Sequence, residues 1–367
     1  MTPAWTLSRW RRTAPVAATL LLLAMISSGR AEAQPAAERG RGEIGTELHW
    51  WPVRDNIWML VGAGTNIAAS VGPDGVFLVN AGEARASQRV LAAIADLQTQ
   101  LNAFGFLEGR TPERGGAETR SRFPVNSHAP PKPVRYIVNT SSLSHNVGGN
   151  EVLAATGVTY SGGNVAGTIG DSSVGAAVLA HENVLNRMIA ADLPFGALPT
   201  ETFFLDEFKL STFFNDEGIQ IIHIPAATTD GDSLVYFRGS DVIATGDVFN
   251  MDSFPIIDVE QGGHINGVLQ ALNYVLELAI PEFRTEGGTM VIPGHGRLAD
   301  SADLGYYRDM LTIIRDQVQS LIDQGMTLQQ VIAKRPTFGY EGRFGADTGS
   351  WTTEMFIEAV YRSLKEG

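Results

Sequence analysis

Seven histidines, 40 acidic residues and no cysteine are what this chain offers to a metal ion or a general acid–base pair. Without thiolates, any metal must be held by imidazole, carboxylate or other oxygen and nitrogen donors. Three loops carry the side chains of most interest, and each follows an apolar run. The stretch VNTSSLSHNVGGNEVL, from Val138 to Leu153, has His145 at its centre and the frame of a metal-site loop. The turn ATTDGDS (227–233) is followed by TGD (245–247), which contains Asp247. The segment PGHG (293–296) contains His295 between two glycines. Ser141, Ser142 and Ser144 surround His145. A Ser–His–Asp arrangement would need one of them within hydrogen-bond reach of the imidazole, beside an oxyanion hole. No G-x-S-x-G elbow is present to supply that geometry.

Loops of this kind work only if a layered fold brings them to one edge. Ile57, Met59 and Val61 alternate, GPDG reads as a turn and VFLV as a short buried strand. Val90, Leu91, Ile94 and Leu97 then fall at helical spacing within 86–101. VRYIVN, GIQIIHIPAA, SLVYFRG, DVIATGD and GTMVIPGHG read as further strands, with helices over 181–190 and 267–280. Leu304, Tyr307, Leu311, Ile314, Val318, Leu321 and Ile322 mark a long amphipathic helix that stops at Gly325. Strands alternating with helices imply an α/β sandwich, with the post-strand loops gathered on one rim. Residues 103–133 are rich in Gly, Pro and charge and read as a loop insertion, a lid or a partner surface.

The N-terminus expects export. Arg9, Arg11 and Arg12 precede an apolar stretch from about Val16 to Ile26, and Ala31-Glu32-Ala33 offers a cleavage site. Residues 1–33 are read as a signal peptide and 34–45 as a flexible lead-in. No stable membrane span is expected after cleavage, because the apolar stretch is short. Removing four arginines and one glutamate from 27 basic and 40 acidic residues leaves a formal charge of −16. Such a surface repels nucleic acid and anionic lipid. The expected location is periplasmic or secreted, and the partner a small-molecule ligand or a protein.

The ordered set GAGTNIAASVGPDGVFLVNAG, HENVLNRM, TTDGDSLVYF, ATGDVFN and VIPGHG resembles the metallo-β-lactamase superfamily over roughly 46–335. It is most similar to the exported metallo-hydrolases of quinoprotein relay systems. The resemblance implies a four-layer αββα sandwich over 46–300, with a C-terminal helical extension over 301–367. It also implies a ligand set. The family loop T-H-x-H-x-D-H-x-G-G-N reads T-S-S-L-S-H-N-V-G-G-N here, with Thr140 and Gly148-Gly149-Asn150 fixing the register. The seven ligand positions are therefore Ser141, Leu143, His145, Asn146, Thr228, Asp247 and His295. Two keep the family residue, one has another ligand-capable side chain and four are lost. Asn80 stands where the family has an aspartate that orients ligands, and Asp230 and Asp232 are further supporting positions.

Two zinc ions sharing a hydroxide need about three protein ligands each. Ser141, Leu143 and Thr228 cannot hold the first. Two function classes follow. The leading expectation is a non-catalytic binding or scaffolding protein that needs no cofactor. The alternative is an ester, lactone, thioester or amide hydrolase with one zinc or iron ion at His145, Asp247 and His295. His264 is a candidate cleft or helix-cap residue. His181 and His223 are read as structural, and His49 and His128 as surface residues.

Overall fold

The computed structural model describes residues 47–103, 131–159, 175–210, 213–279 and 288–366. The expected signal peptide, the lead-in and most of the 103–133 insertion, His128 included, lie outside these residues.

Two sheets form the centre. The first has seven strands in sequential order: β1 (His49–Arg54), β2 (Ile57–Val61), β3 (Ile67–Gly72), β4 (Gly75–Val79), β5 (Val134–Val138), β6 (Ala177–His181) and β7 (Glu201–Phe203). β1 to β4 are antiparallel hairpins, whereas β4 to β7 are parallel. The second sheet contains β8 (Glu207–Lys209), β9 (Ile219–Ile224), β10 (Asp232–Phe237), β11 (Val242–Ala244) and β12 (Met290–Ile292), in the order β12-β11-β10-β9-β8. Only the β11–β12 pair in it is parallel.

The apolar runs lack alternation because both faces of these strands are covered. In β4, Phe77 and Val79 enter the layer between the sheets, while Val76 and Leu78 face outward. They meet Val90, Ile94, Leu97 and Leu101 of helix α1 (Ser87–Ala103). In β9, Ile219 and Ile221 turn inward, and Ile222 and Ile224 face the opposite layer. In β10, Phe237 and Val235 point in and Leu234 points out. Each such buried side chain contributes roughly 1.5–3 kcal/mol.

Short helices α2 (Ser144–Val147) and α3 (Asn150–Ala155) follow β5, and α4 (Glu182–Ala190) follows β6. The outer layer on the second sheet is made by α5 (Ile265–Leu278), α6 (Ser301–Asp323), α7 (Leu328–Lys334), α8 (Glu341–Phe344) and α9 (Thr353–Glu366). Val268, Leu272, Leu304, Tyr307, Ile314, Phe356 and Val360 share one cluster with Leu234, Ile243 and Val291. The order is therefore helix, sheet, sheet, helix. Among the described residues no helix is long and apolar enough to cross a membrane.

Because β4 to β7 run in the same direction, their C-terminal ends open on one rim. The segments after β11 and β12 reach that rim from the second sheet. The joint is a set of backbone bonds: Ser233 N donates to Thr140 O at 2.9 Å, and Asn66 N donates to Gly294 O at 2.8 Å.

Candidate metal centre

The loop after β5 is fastened before any ligand is considered. Asn80, with a left-handed φ of 68°, turns the chain out of β4. Its Oδ1 accepts from Thr140 N at 2.9 Å and from Thr140 Oγ1 at 3.0 Å. At the other end of the loop, Asn139 and Asn150 exchange reciprocal amide hydrogen bonds of 3.0 and 2.8 Å. Between them the two glycines lie against the backbone of 81–84. A Cβ on Gly149 would stand 2.2 Å from Ala81 O, and one on Gly148 would stand 2.6 Å from Ala84 N. The Gly-Gly-Asn frame is thus a packing requirement. Gly149→Ala is expected to lower stability by about 1–3 kcal/mol through overpacking. Urea unfolding measures this, and an unchanged midpoint would remove the steric account.

Held in this way, α2 presents His145 to Asp247. His145 Nε2 lies 3.0 Å from both carboxylate oxygens of Asp247, and His295 Nε2 lies 3.3 Å from Oδ1. The ligand-capable atoms of the three residues all fall within 4.8 Å of one another. A histidine at an aspartate position is longer and could have been aimed elsewhere, but it converges. Asp247 follows Gly246, whose φ is 53° and whose place a Cβ could not share with Thr140 Oγ1, 2.4 Å away. His295 is held as Met251 N donates to His295 O at 3.0 Å and Gly294 N donates to Phe249 O at 2.9 Å.

Asp247 is buried. Burial raises its carboxyl pKa, but the charges and hydrogen bonds of His145 and His295 outweigh that and hold it well below the usual carboxylate range. Asn146 Nδ2 donates to Asp247 Oδ2 at 2.6 Å and to Ser141 Oγ at 2.8 Å. The Asn146 Oδ1 atom is buried without a partner.

The other positions expected from the resemblance are engaged differently. Ser141 Oγ accepts from Asn146 Nδ2 and from Leu143 N at 3.3 Å, so Ser141 is tied into the loop. Leu143, partly exposed, has no donor atom to give. Thr228 Oγ1 donates to both oxygens of Asp232 at 2.8 Å, and Thr228 N and Thr229 N donate to Asp232 Oδ2 at 2.6 and 2.8 Å. Burial pushes the Asp232 carboxyl up to about 7 despite these donors, and the charge of Asp247 adds to the rise. Asp230 lies apart from the cluster, where its Oδ1 accepts from Arg187 Nε at 2.9 Å. His264 is not in the cluster either. It caps α5, its Nδ1 accepting from Asn266 N at 2.9 Å. His49 is exposed, as expected.

The donor set fits one metal and not two. Ligands about 2.0–2.1 Å from a tetrahedral zinc lie roughly 3.4 Å from each other, close to the 3.0 and 3.3 Å imidazole–carboxylate spacings here. Two imidazoles and one carboxylate leave coordination positions open, an arrangement used for zinc and ferrous iron. The Oδ1 atom of Asn146, whose Nδ2 binds Asp247, is a further oxygen without a hydrogen bond. The three positions that the resemblance assigned to a first metal, Ser141, Leu143 and Thr228, hold two engaged hydroxyls and a leucine. Sequence reasoning missed the Asn139–Asn150 pair and the role of Gly246, and only the retained Gly-Gly-Asn and Thr-Gly-Asp triplets hinted at either.

No family model matches the chain, and no curated protein matches it. Among solved structures, the stereoselective inverting sec-alkylsulfatase Pisa1 from Pseudomonas sp. is similar at 14% identity and a TM-score of 0.57. That match covers 86% of this chain and 50% of the sulfatase, so the chain spans half the length of that enzyme. A metallo-β-lactamase from Pontibacter korlensis is matched at 13% identity and a TM-score of 0.47, over 72% of this chain and 99% of that one. The chain shares with that sulfatase its fold, a layered helix–sheet–sheet–helix sandwich, and this is the architecture that the sequence resemblance implied. On that fold the described residues include a His–Asp–His cluster.

Proposed function

We propose that this chain is an exported protein of metallo-hydrolase fold that has given up the dinuclear centre and keeps a single metal site at His145, Asp247 and His295. The observation that carries the reading is the convergence of three ligand-capable atoms within 4.8 Å around a buried carboxylate. A divalent ion held there supplies Lewis acidity and lowers the pKa of water, the requirements for hydrolysing an ester, lactone, thioester or amide. The chain's own residues prepare the place. Asp247 brings the negative charge, Asn146 fixes the carboxylate's orientation, and Asn80 with Thr140 sets the loop that carries His145. Such outer partners typically matter by 10–100-fold in metal affinity.

A second reading keeps the fold as a non-catalytic binding or scaffolding module. It is favoured by Ser141, Leu143 and Thr228, which fill the first-metal shell with side chains that have found other partners or have none to offer. Export rests on the N-terminal sequence.

The two readings part at metal content. The chain, purified from zinc- and iron-supplemented medium, is expected to hold about one equivalent of metal by elemental mass spectrometry. His295→Ala is expected to hold none. A metal-free protein that takes up neither ion would retire the metal site and leave the binding module. One equivalent justifies a hydrolase screen with ester, lactone, thioester and amide probes.

A further inference from the structure

His181 and His223 belong to different sheets and take no part in the cluster at Asp247. His181 closes β6 and caps α4, its Nδ1 accepting from Asn183 N at 3.3 Å. His223, on β9, places its ring centroid 3.6 Å from that of His181, with the planes at 81°. The Nε2 atom of His223 is buried and has no hydrogen-bond partner. An orphaned imidazole nitrogen invites a metal, but the rings stand too close for a shared one. With nitrogen–metal bonds of about 2.0–2.1 Å, two imidazoles on one ion keep their centroids roughly 4.5 Å or more apart. The contact is therefore a matter of protons.

An Nδ1 that accepts a backbone N–H carries no proton of its own. Protonating His181 would set an N–H against the Asn183 N–H and place a cation at the positive end of a helix. His223, edge-on at 3.6 Å, would add a second charge with no bond to compensate it. The acidic groups around the pair, Glu182 and Asp230 for His181 and Asp206 and Asp230 for His223, pull towards protonation. Arg187 partly cancels Asp230 by pairing with it at 2.6 Å. Burial prevails at both rings, lowering His181 and bringing His223 down to about 4.

The capped turn has consequences for the rim. Val184 and Met188 of α4 pack with Val147, which ends the helix that carries His145. Asn183 Nδ2 donates to Asp230 O at 2.9 Å, and Arg187 donates to Gln261 O at 2.7 Å. We propose that the His181–His223 pair is an acid-operated latch: neutral, it fastens the first turn of α4 to the site rim, and protonated, it releases that turn and loosens the seat of His145. The sign follows from linkage. Both folded-state values lie below the ordinary histidine value of 6.5, so stability is undiminished above that pH and is lost as pH falls towards about 4.

Hydrogen exchange of the full chain, read in the 182–188 segment and corrected for intrinsic rate, tests the latch. Between pH 7.5 and pH 5.0 the parent is expected to lose about tenfold in protection there. The double variant His181→Asn, His223→Gln keeps an acceptor at the cap and removes both titrating rings, and its protection is expected to stay level over that range. Equal loss in parent and variant, or none in the parent, overturns the proposal. Ring titration of the parent by NMR gives an independent check should the variant fold poorly. Values near 6.5 for both histidines overturn the latch, and values well below support it.

Discussion

Asp247→Ala is expected to abolish metal retention, weakening affinity by about 100-fold or more. Outer partners alone typically account for 10–100-fold, and this residue is the bridge of the cluster itself. The carboxylate faces His145 at 3.0 Å and His295 at 3.3 Å, and it accepts the 2.6 Å bond from Asn146. Its removal takes the carboxylate away from one buried and one half-buried imidazole and costs the Asn146 amide one of its two acceptors. Two neutral nitrogens then remain for the ion, fewer than either zinc or iron holds stably. The check is elemental analysis after gel filtration, beside the thermal midpoint with and without added zinc. A bound metal raises the midpoint of the form that binds it. The parent should respond to zinc and the variant should not. A variant that keeps one equivalent would place the metal elsewhere and sink the assigned site.

Asp232→Ala should cost the most stability of any single change near the rim, about 3–5 kcal/mol. The estimate follows from the cost of stranding buried donors, roughly 1–3 kcal/mol each, with relaxation recovering part. Thr228 N, Thr229 N and the hydroxyls of both threonines all turn to this carboxyl. The loss also has a pH signature. With the folded-state value raised to about 7, the group's contribution is present below the unfolded value of 3.8 and fades as pH rises through 7. The stability gap between parent and variant should therefore narrow from acid to neutral pH. Urea midpoints at pH 5 and pH 8 measure it. A gap that widens instead would mean that Asp232 is held as a carboxylate.

The sandwich was legible because VFLV and IQIIHI are unbroken apolar runs, which strands covered on both faces require. Helix ends shifted by a residue or two. The segment read as 181–190 begins at Glu182 because His181 is its cap, and the one read as 267–280 runs from Ile265 to Leu278. That the loop is framed by Thr140 and Gly148-Gly149-Asn150 was legible, and these residues do anchor its ends. Where the imidazole would point was not legible, because a histidine's reach at an aspartate position depends on the short helix 144–147 beneath it. The meeting of His181 with His223 was hidden altogether. Read singly each looks structural, and only the packing of one sheet on the other brings them to 3.6 Å.

The anchoring of the loop after β5 bears on how such a protein changes over time. Asn139, Thr140, Gly149 and Asn150 hold its two ends through contacts that involve neither imidazole nor the carboxylate of the cluster. Residues 141–146 therefore sit between fixed abutments like an exchangeable cartridge. Substitutions there can rewrite the chemistry while the two abutments preserve the loop's path. Changes among these residues could therefore alter or remove a ligand set without crossing an unfolded intermediate.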